Sequence, residues 1–280
     1  MPIGIFDSGV GGLTVYRALH NRLPNERFIY LGDTARVPYG TKSLATVERY
    51  AIENAEFLAA RGIKLLVVAC NTASALALPK IRARIGIDVV GVIGPGARKA
   101  VEITKFEANP RVAVIATEAT VASSAYADSI RQASEKTEVV QTACPLFVPL
   151  AEENWTHEPE TFSIAEKYLR NIVEFAPQAL VLGCTHYPIL REVIQQTVGE
   201  RVTLIDSGEA CAEETERLLA VKNLANPQKI TGERRLCDDL DHFYVTDAAE
   251  RFARVAERFL GAKPAKLEAV EIFGVDKLEN

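Results

Sequence analysis

The stretch "VVACNTA", Val67 to Ala73, sets an apolar run, a cysteine and a nearby threonine ahead of a helix-like segment, and "LVLGCTHYP", Leu180 to Pro188, repeats that outline. A short apolar run closed by polar residues and followed by an amphipathic stretch reads as a buried strand feeding a helix. Outward from these two segments, short apolar runs alternate with longer amphipathic ones through most of the chain. The alternation predicts βαβ units and an α/β fold with parallel-rich sheets flanked by helices. Expected strands are Ile3 to Phe6, Phe28 to Leu31, Leu65 to Ala69, Val89 to Ile93, Val112 to Ala116, Glu138 to Gln141, Ala179 to Leu182 and Val202 to Ile205, with a late one at His242 to Val245. Between the second and third, "LATVERYAIENAEFLAARG" (Leu44 to Gly62) has helical spacing and stops at a glycine.

The two cysteine segments belong to a weak internal repeat. "IGIFDSGVGGLTVYRAL" and "VAVIATEATVASSAYAD" share a strand, a polar turn and a helix, and Asp7 and Thr117 are offset by nearly the same interval as Cys70 and Cys184. Two similar α/β domains facing each other would account for both offsets. The boundary is expected near "VIGPGARKA" (Val92 to Ala100), where Gly94, Pro95 and Gly96 break the pattern, and the return near "IDSGEAC" (Ile205 to Cys211). Residues 1–95 with 208–280 would then form one domain, and 96–207 the other.

Composition narrows the function. A chain of 280 residues can bury a large core, and 48% hydrophobic with 25% charged residues is the balance of a globular protein. A net charge of -5 leaves no basic excess to neutralise phosphates, so no nucleic-acid partner is expected and a small molecule is. No apolar run is long enough to span a bilayer, and "PIGIF" at the start lacks the layout of a secretion signal; no membrane association and a cytoplasmic location are expected. Five cysteines, an odd number without a C-x-x-C pair, argue for reduced thiols rather than disulfides or a structural metal site.

In open parallel sheets ligands bind beyond the carboxyl ends of the strands, and the residues there are unusually polar: Asp7-Ser8, Asp33-Thr34, Cys70-Asn71-Thr72, Thr117, Cys184-Thr185-His186 and Asp206-Ser207. Free cysteine usually behaves as a small buried hydrophobe, which is the reading for Cys144, Cys211 and Cys237. Cys70 and Cys184 differ because a helix start behind each can stabilise a thiolate. His186, two positions after a strand-end thiol, suits proton transfer. Asp7 either caps the following helix or joins the acid–base machinery; of Glu152 and Glu153, one could orient His186. The glycines of "DSGVGG" permit close backbone approach but lack the spacing of a dinucleotide site. "VPYGTKS" (Val37 to Ser43) is either a spacer loop or a substrate clamp through Tyr39 and backbone N–H groups.

Taken together, "GIFDSGVGGLTV", "YLGDTARVPYG", "VVACNTASA", "CPLFVPLAEE" and "LVLGCTHYP" resemble the glutamate racemases, spread in order over Gly4 to Ser207, and "FYVTDAAERFARVAERFLG" resembles their final strand and helix. The resemblance implies two pseudo-twofold-related α/β domains with glutamate between them. It also implies two-base inversion without cofactor or metal, supplying D-glutamate for peptidoglycan, in a homodimer. By position it makes Cys70 and Cys184 the proton-transfer thiols, Asp7 and His186 their helpers and Glu152 the partner of His186. Asp7, Ser8, Tyr39, Gly40, Asn71, Thr72, Thr117, Thr120, Thr185 and His186 would bind substrate. Ala119 stands where the family commonly has glycine, which puts a local turn in question. No long N-terminal extension is present, so regulation by a peptidoglycan precursor is not implied. An aspartate racemase and a binding protein without turnover are the alternatives; the "FDSGVGGLTV" opening favours glutamate, and two thiols with two helpers exceed what binding needs.

Overall fold

Strands apolar on both faces need cover on both faces, and this chain supplies it with helices between successive strands. The computed structural model describes residues 1–230, 232 and 234–272. Among the described residues the strands are β1 (Ile3–Asp7), β2 (Phe28–Gly32), β3 (Leu65–Val68), β4 (Asp88–Gly91), β5 (Arg111–Ala116), β6 (Glu138–Ala143), β7 (Ala179–Gly183), β8 (Thr203–Asp206), β9 (His242–Val245) and β10 (Leu267–Ala269). They pair in parallel into two sheets, ordered β10-β9-β2-β1-β3-β4 and β6-β5-β7-β8.

The repeat in the sequence is a repeat in topology. Around β1 the neighbours are β2 on one side and β3 then β4 on the other; around β5 they are β6 on one side and β7 then β8 on the other. In this order the connections reverse direction between the first and third strands, and a crevice opens at their carboxyl ends. The first sheet delivers Asp7 and Cys70 to its crevice, the second Thr117 and Cys184.

Packing follows the alternation of side chains. Ile3, Ile5, Leu65 and Val67 share a core with Leu13, Tyr16 and Leu19 of the helix Leu13–Arg22, continuous with Ile115 and Leu182 of the second sheet. Phe6, Leu66 and Val68 point the other way, onto Val47, Ala51 and Ala55 of the helix Leu44–Ala59. Val112, Val114 and Val181 lie under Ala97, Tyr126 and Ile130. Each such aliphatic or aromatic side chain, fully buried, contributes roughly 1.5–3 kcal/mol, so the sheet interiors are stiff supports for the loops at their ends. The helix Ser207–Val221 packs against both Leu13–Arg22 and Ile93–Thr104, with Arg22 Nε 2.8 Å from Glu216 Oε2 and Lys99 Nζ 3.3 Å from Glu213 Oε2. Among the described residues no helix is long and apolar enough to cross a membrane.

Three expectations change in detail. "VIGPGARKA" is not a break: Gly94, Pro95 and Gly96 fall in the first turn of the helix Ile93–Thr104, where a proline has no intrahelical hydrogen bond to lose. The strand expected to reach Ile93 therefore stops at Gly91, though the chain does pass here from one sheet to the other. β10, three residues without buried side chains, carries too little hydrophobic pattern to be foreseen. Ala119 lies inside the short helix Glu118–Ala122, whose backbone suits alanine, so no strained turn arises there.

Candidate active site

The two thiols end equivalent strands but open different segments: the expected helix start stands behind Cys70, whereas only a 3-10 turn, begun by His186, follows Cys184. Cys70 is the N-cap of the helix Asn71–Leu76, its sulfur accepting the Ala73 N–H at 3.5 Å. Cys184 follows β7 directly, before the 3-10 turn Tyr187–Leu190, and its sulfur faces His186 Nδ1 at 3.8 Å. They are 5% and 6% exposed, which leaves each a small opening, and that opening is one shared cleft. Ser8, Gly9, Tyr39, Gly40, Asn71, Thr72, Thr117, Thr185, His186 and Glu152 line the same cleft, with Val10, Val37, Pro38 and Val148 as an apolar wall. Asp7 and Thr120 are the two expected residues that stand behind the wall rather than in it.

The electrostatics of the two sides differ. His186 Nε2 lies 3.1 Å from Glu152 Oε1. Burial alone would depress the imidazole, but its hydrogen bonds with Cys184 and Glu152 reverse this and hold it at about 10. Burial likewise works against the Glu152 carboxylate, and the His186 bond and charge outweigh it, so this carboxyl is lowered. The pair is thus ionic at neutral pH and sets a cation beside the Cys184 sulfur. On the other side, burial and the Asp7 carboxylate push the Cys70 thiol up to about 12, against hydrogen bonds from Ser8 and Ala73. Asp7 is itself raised by burial, opposed by the Gly9 N–H and the His186 charge. Cys70 and Asp7 therefore resist being anions together.

Asp7 does not cap the next helix: Gly12 occupies that N-cap without a side-chain bond, and Asp7 Oδ2 instead accepts the Gly9 N–H at 2.9 Å. Its Oδ1 has no partner among the described residues. The glycines of this turn are steric necessities. A Cβ on Gly11 would come within 2.2 Å of Thr185 Oγ1 and 2.5 Å of His186 Cε1, and one on Gly12 within 2.4 Å of the Asp7 Cβ.

Hydroxyls cluster opposite. Thr72 Oγ1 lies 3.0 Å from Thr117 Oγ1 and 3.3 Å from Thr120 Oγ1, and the last two are 2.9 Å apart, so Thr120 orients the two hydroxyls that reach the cleft. Gly40 lets the Tyr39 loop close onto this group, since a Cβ there would meet the Thr117 Cβ at 2.8 Å. The Tyr39 hydroxyl turns away: it donates to Asp33 Oδ2 and accepts from Asn54 Nδ2 at 3.0 Å, which leaves its ring and backbone for the cleft. Cys144, Cys211 and Cys237 are fully or almost fully buried elsewhere, with thiols raised by burial, as structural cysteines are.

Several contributors were not foreseen. Arg251 donates to Glu152 Oε2 at 2.9 Å and Arg258 to the Glu152 carbonyl at 2.8 Å, both from the helix Ala249–Leu260, whose Phe259 ring lies 6.2 Å from the His186 ring. Their distance in sequence hid them; the one available signal was the surplus of arginine on that amphipathic helix. Among the described residues no cluster of histidine, cysteine, aspartate and glutamate could hold a metal ion.

This geometry has close counterparts. The family model Asp/Glu/Hydantoin racemase matches residues 3–215. A glutamate racemase of Geobacter metallireducens is 52% identical over 93% of this chain and 93% of its own. Among solved structures, a glutamate racemase of Bacillus anthracis superposes with a TM-score of 0.88 at 34% identity, covering 96% of this chain and 97% of that one. One of Francisella tularensis, solved in complex with D-glutamate, gives 0.87 at 39% identity over 97% of both chains.

Proposed function

Because the chain belongs to the Asp/Glu/Hydantoin racemase family, we propose that it interconverts L- and D-glutamate by two-base proton transfer without a cofactor, supplying D-glutamate for peptidoglycan. The observation that carries this reading is the pair of thiols on equivalent strand ends of two sheets, both opening into one cleft. Inversion at carbon needs a base on one face and an acid on the other, and a duplicated strand-end cysteine provides both.

From L-glutamate, the Cys184 thiolate takes the α-proton while the Cys70 thiol donates one to the opposite face. Cys184 ends as thiol and Cys70 as thiolate; from D-glutamate the roles exchange. An α-proton beside a carboxylate is far less acidic than a thiol, so the thiolate alone cannot drive the step. Hydrogen bonds to the substrate carboxylate from Asn71, Thr72, Thr117, Thr185 and nearby backbone N–H groups stabilise the developing charge in a cleft with little water. Ser8 and the backbone of Tyr39 and Gly40 complete the binding surface. Protonated His186, steadied by Glu152, stands against the Cys184 sulfur as its helper, and Asp7 is the helper on the Cys70 side. The same reading places the enzyme in the cytoplasm, as a homodimer, with residues 1–95 plus 208–280 and 96–207 as its two domains.

The test is direct: purified protein should interconvert the glutamate enantiomers with no added cofactor and with activity undiminished by chelators. Dependence on pyridoxal phosphate or a metal, or a preference for aspartate, would reject the reading.

A further inference from the structure

Tyr126 touches the neighbours of both thiols at once. Its hydroxyl donates to Asn71 Oδ1 at 2.7 Å, one residue after Cys70. Its ring packs on Gly183, one residue before Cys184, so closely that a Cβ there would meet Tyr126 Cε2 at 3.0 Å. The opposite edge of the ring lies against Gly96, where a Cβ would be 3.3 Å from Cε1. A second path runs in parallel: Asn71 Nδ2 donates to Ser207 Oγ at 3.5 Å, and the Ser207 hydroxyl donates to the Leu182 carbonyl at 3.0 Å, two residues before Cys184.

All three side chains are out of solvent, Tyr126 at 0%, Ser207 at 2% and Asn71 at 3% exposed. Buried polar groups that satisfy one another hold a single arrangement, because breaking any one bond leaves another group unpaired in a dry interior. Asn71 and Cys70 follow β3 of the first sheet; Leu182 lies in β7 of the second, and Tyr126 in the helix Ala125–Ala133 packed on that second sheet. The network therefore connects one thiol-bearing loop to the other through contacts that include neither thiol and that do not need substrate. With its oxygen committed to Tyr126, the Asn71 amide also has only one orientation left, nitrogen away from the tyrosine.

We propose that Tyr126, with Ser207, is a positioning residue that fixes the separation of Cys70 and Cys184 across the substrate. The inference rests on the two-thiol reading of the cleft. Proton transfer on both faces in one active site tolerates little change in that separation, since a shift of about 1 Å in a reacting group can lower a rate by roughly 100-fold.

Tyr126→Phe keeps the ring on Gly183 and Gly96 and removes only the hydroxyl. In both directions kcat should fall by about tenfold or more while KM changes by less than about threefold, and the α-deuterium isotope effect on kcat should rise as proton transfer becomes slower. A role confined to stability would lower the melting temperature and leave kcat and the isotope effect alone. Asn71→Ala combined with Tyr126→Phe should be no slower than Asn71→Ala alone, because the tyrosine acts through the asparagine. If Tyr126→Phe fails to fold, Ser207→Ala takes its place under the same criteria. Wild-type kcat and isotope effect in the folded variant, or additive losses in the double variant, overturn the proposal. A wild-type protein without racemase activity would instead reject the reading on which it rests.

Discussion

His186 Nε2 and Glu152 Oε1, 3.1 Å apart, form an ion pair between a buried imidazole and a carboxylate that keeps part of its surface in solvent. Two titrations follow from it. The His186 pKa is raised from 6.5 to about 10, so its stabilisation is complete below about pH 6.5 and lost as pH rises through about 10. The Glu152 pKa is lowered from 4.5, so its stabilisation is present above 4.5 and lost as pH falls through the depressed value. Glu152→Gln should therefore lower the melting temperature most between about pH 4.5 and 6.5, with the gap to wild type closing toward pH 10. Its alkaline limb of kcat/KM should also move to lower pH. Melting curves and rate profiles across that range check both; a gap that widens above pH 8 would contradict the assignment.

Unequal surroundings should make the thiols unequal reagents. Cys184 faces the His186 cation, whereas Cys70, pushed up to about 12, sits with Asp7. Alkylation of the free enzyme with iodoacetamide at neutral pH should label Cys70 only slowly, as peptide mass spectrometry would record, since the thiolate is the reactive form and this thiol is held protonated. Rapid labelling of Cys70 would mean that the resting proton sits elsewhere.

Replacing single thiols tests the proposed catalytic pair against the three cysteines read as structural. Cys70→Ser and Cys184→Ser should each reduce racemisation by orders of magnitude, because a serine hydroxyl supplies almost no alkoxide at neutral pH. Cys237→Ser should change it little. Comparable damage from Cys237→Ser would undo the assignment.

Deuterium oxide tests whether two bases act. The donor thiol exchanges with solvent before substrate binds, so D-glutamate formed in the first turnovers from L-glutamate should carry deuterium at the α-carbon while remaining L-glutamate stays largely unlabelled. A single base serving both faces would return some original hydrogen to product, and early-time mass spectrometry of the separated enantiomers would reveal it.

Gly11→Ala probes the close approach of the first turn to the second cysteine loop. The added methyl would collide with Thr185 and His186, an overpacking expected to cost about 1–3 kcal/mol and to displace His186 from Cys184. Both melting temperature and kcat should drop; an unaltered kcat would show that the turn does not bear on the imidazole.

What the sequence made legible was local. A strand end, a thiol and a hydroxyl beside it are fixed by neighbours within a few residues, so Cys70, Cys184 and the threonines could be placed at a ligand-facing edge before any fold was known. The direction of the Tyr39 hydroxyl could not, because Asp33 and Asn54 claim it only after the helix Leu44–Ala59 has packed. Arg251 and Arg258 were hidden for the same reason: charged residues on an amphipathic helix look solvated until the helix docks against Glu152. Gly94, Pro95 and Gly96 misled because residues that usually end a pattern can also sit in the first turn of a helix.

The shared strand order around β1 and β5 bears on handedness. A chain of L-residues cannot build the mirror image of its own pocket, so it cannot greet two enantiomers with two reflected sites. Rotation offers another route: turning one half of the molecule onto the other exchanges the front of a bound carbon for its back and reflects nothing. On the two-thiol proposal, a duplicated half-site meets left and right forms of one substrate with the same chemistry approached from opposite sides, and handedness becomes a matter of which thiol holds the proton.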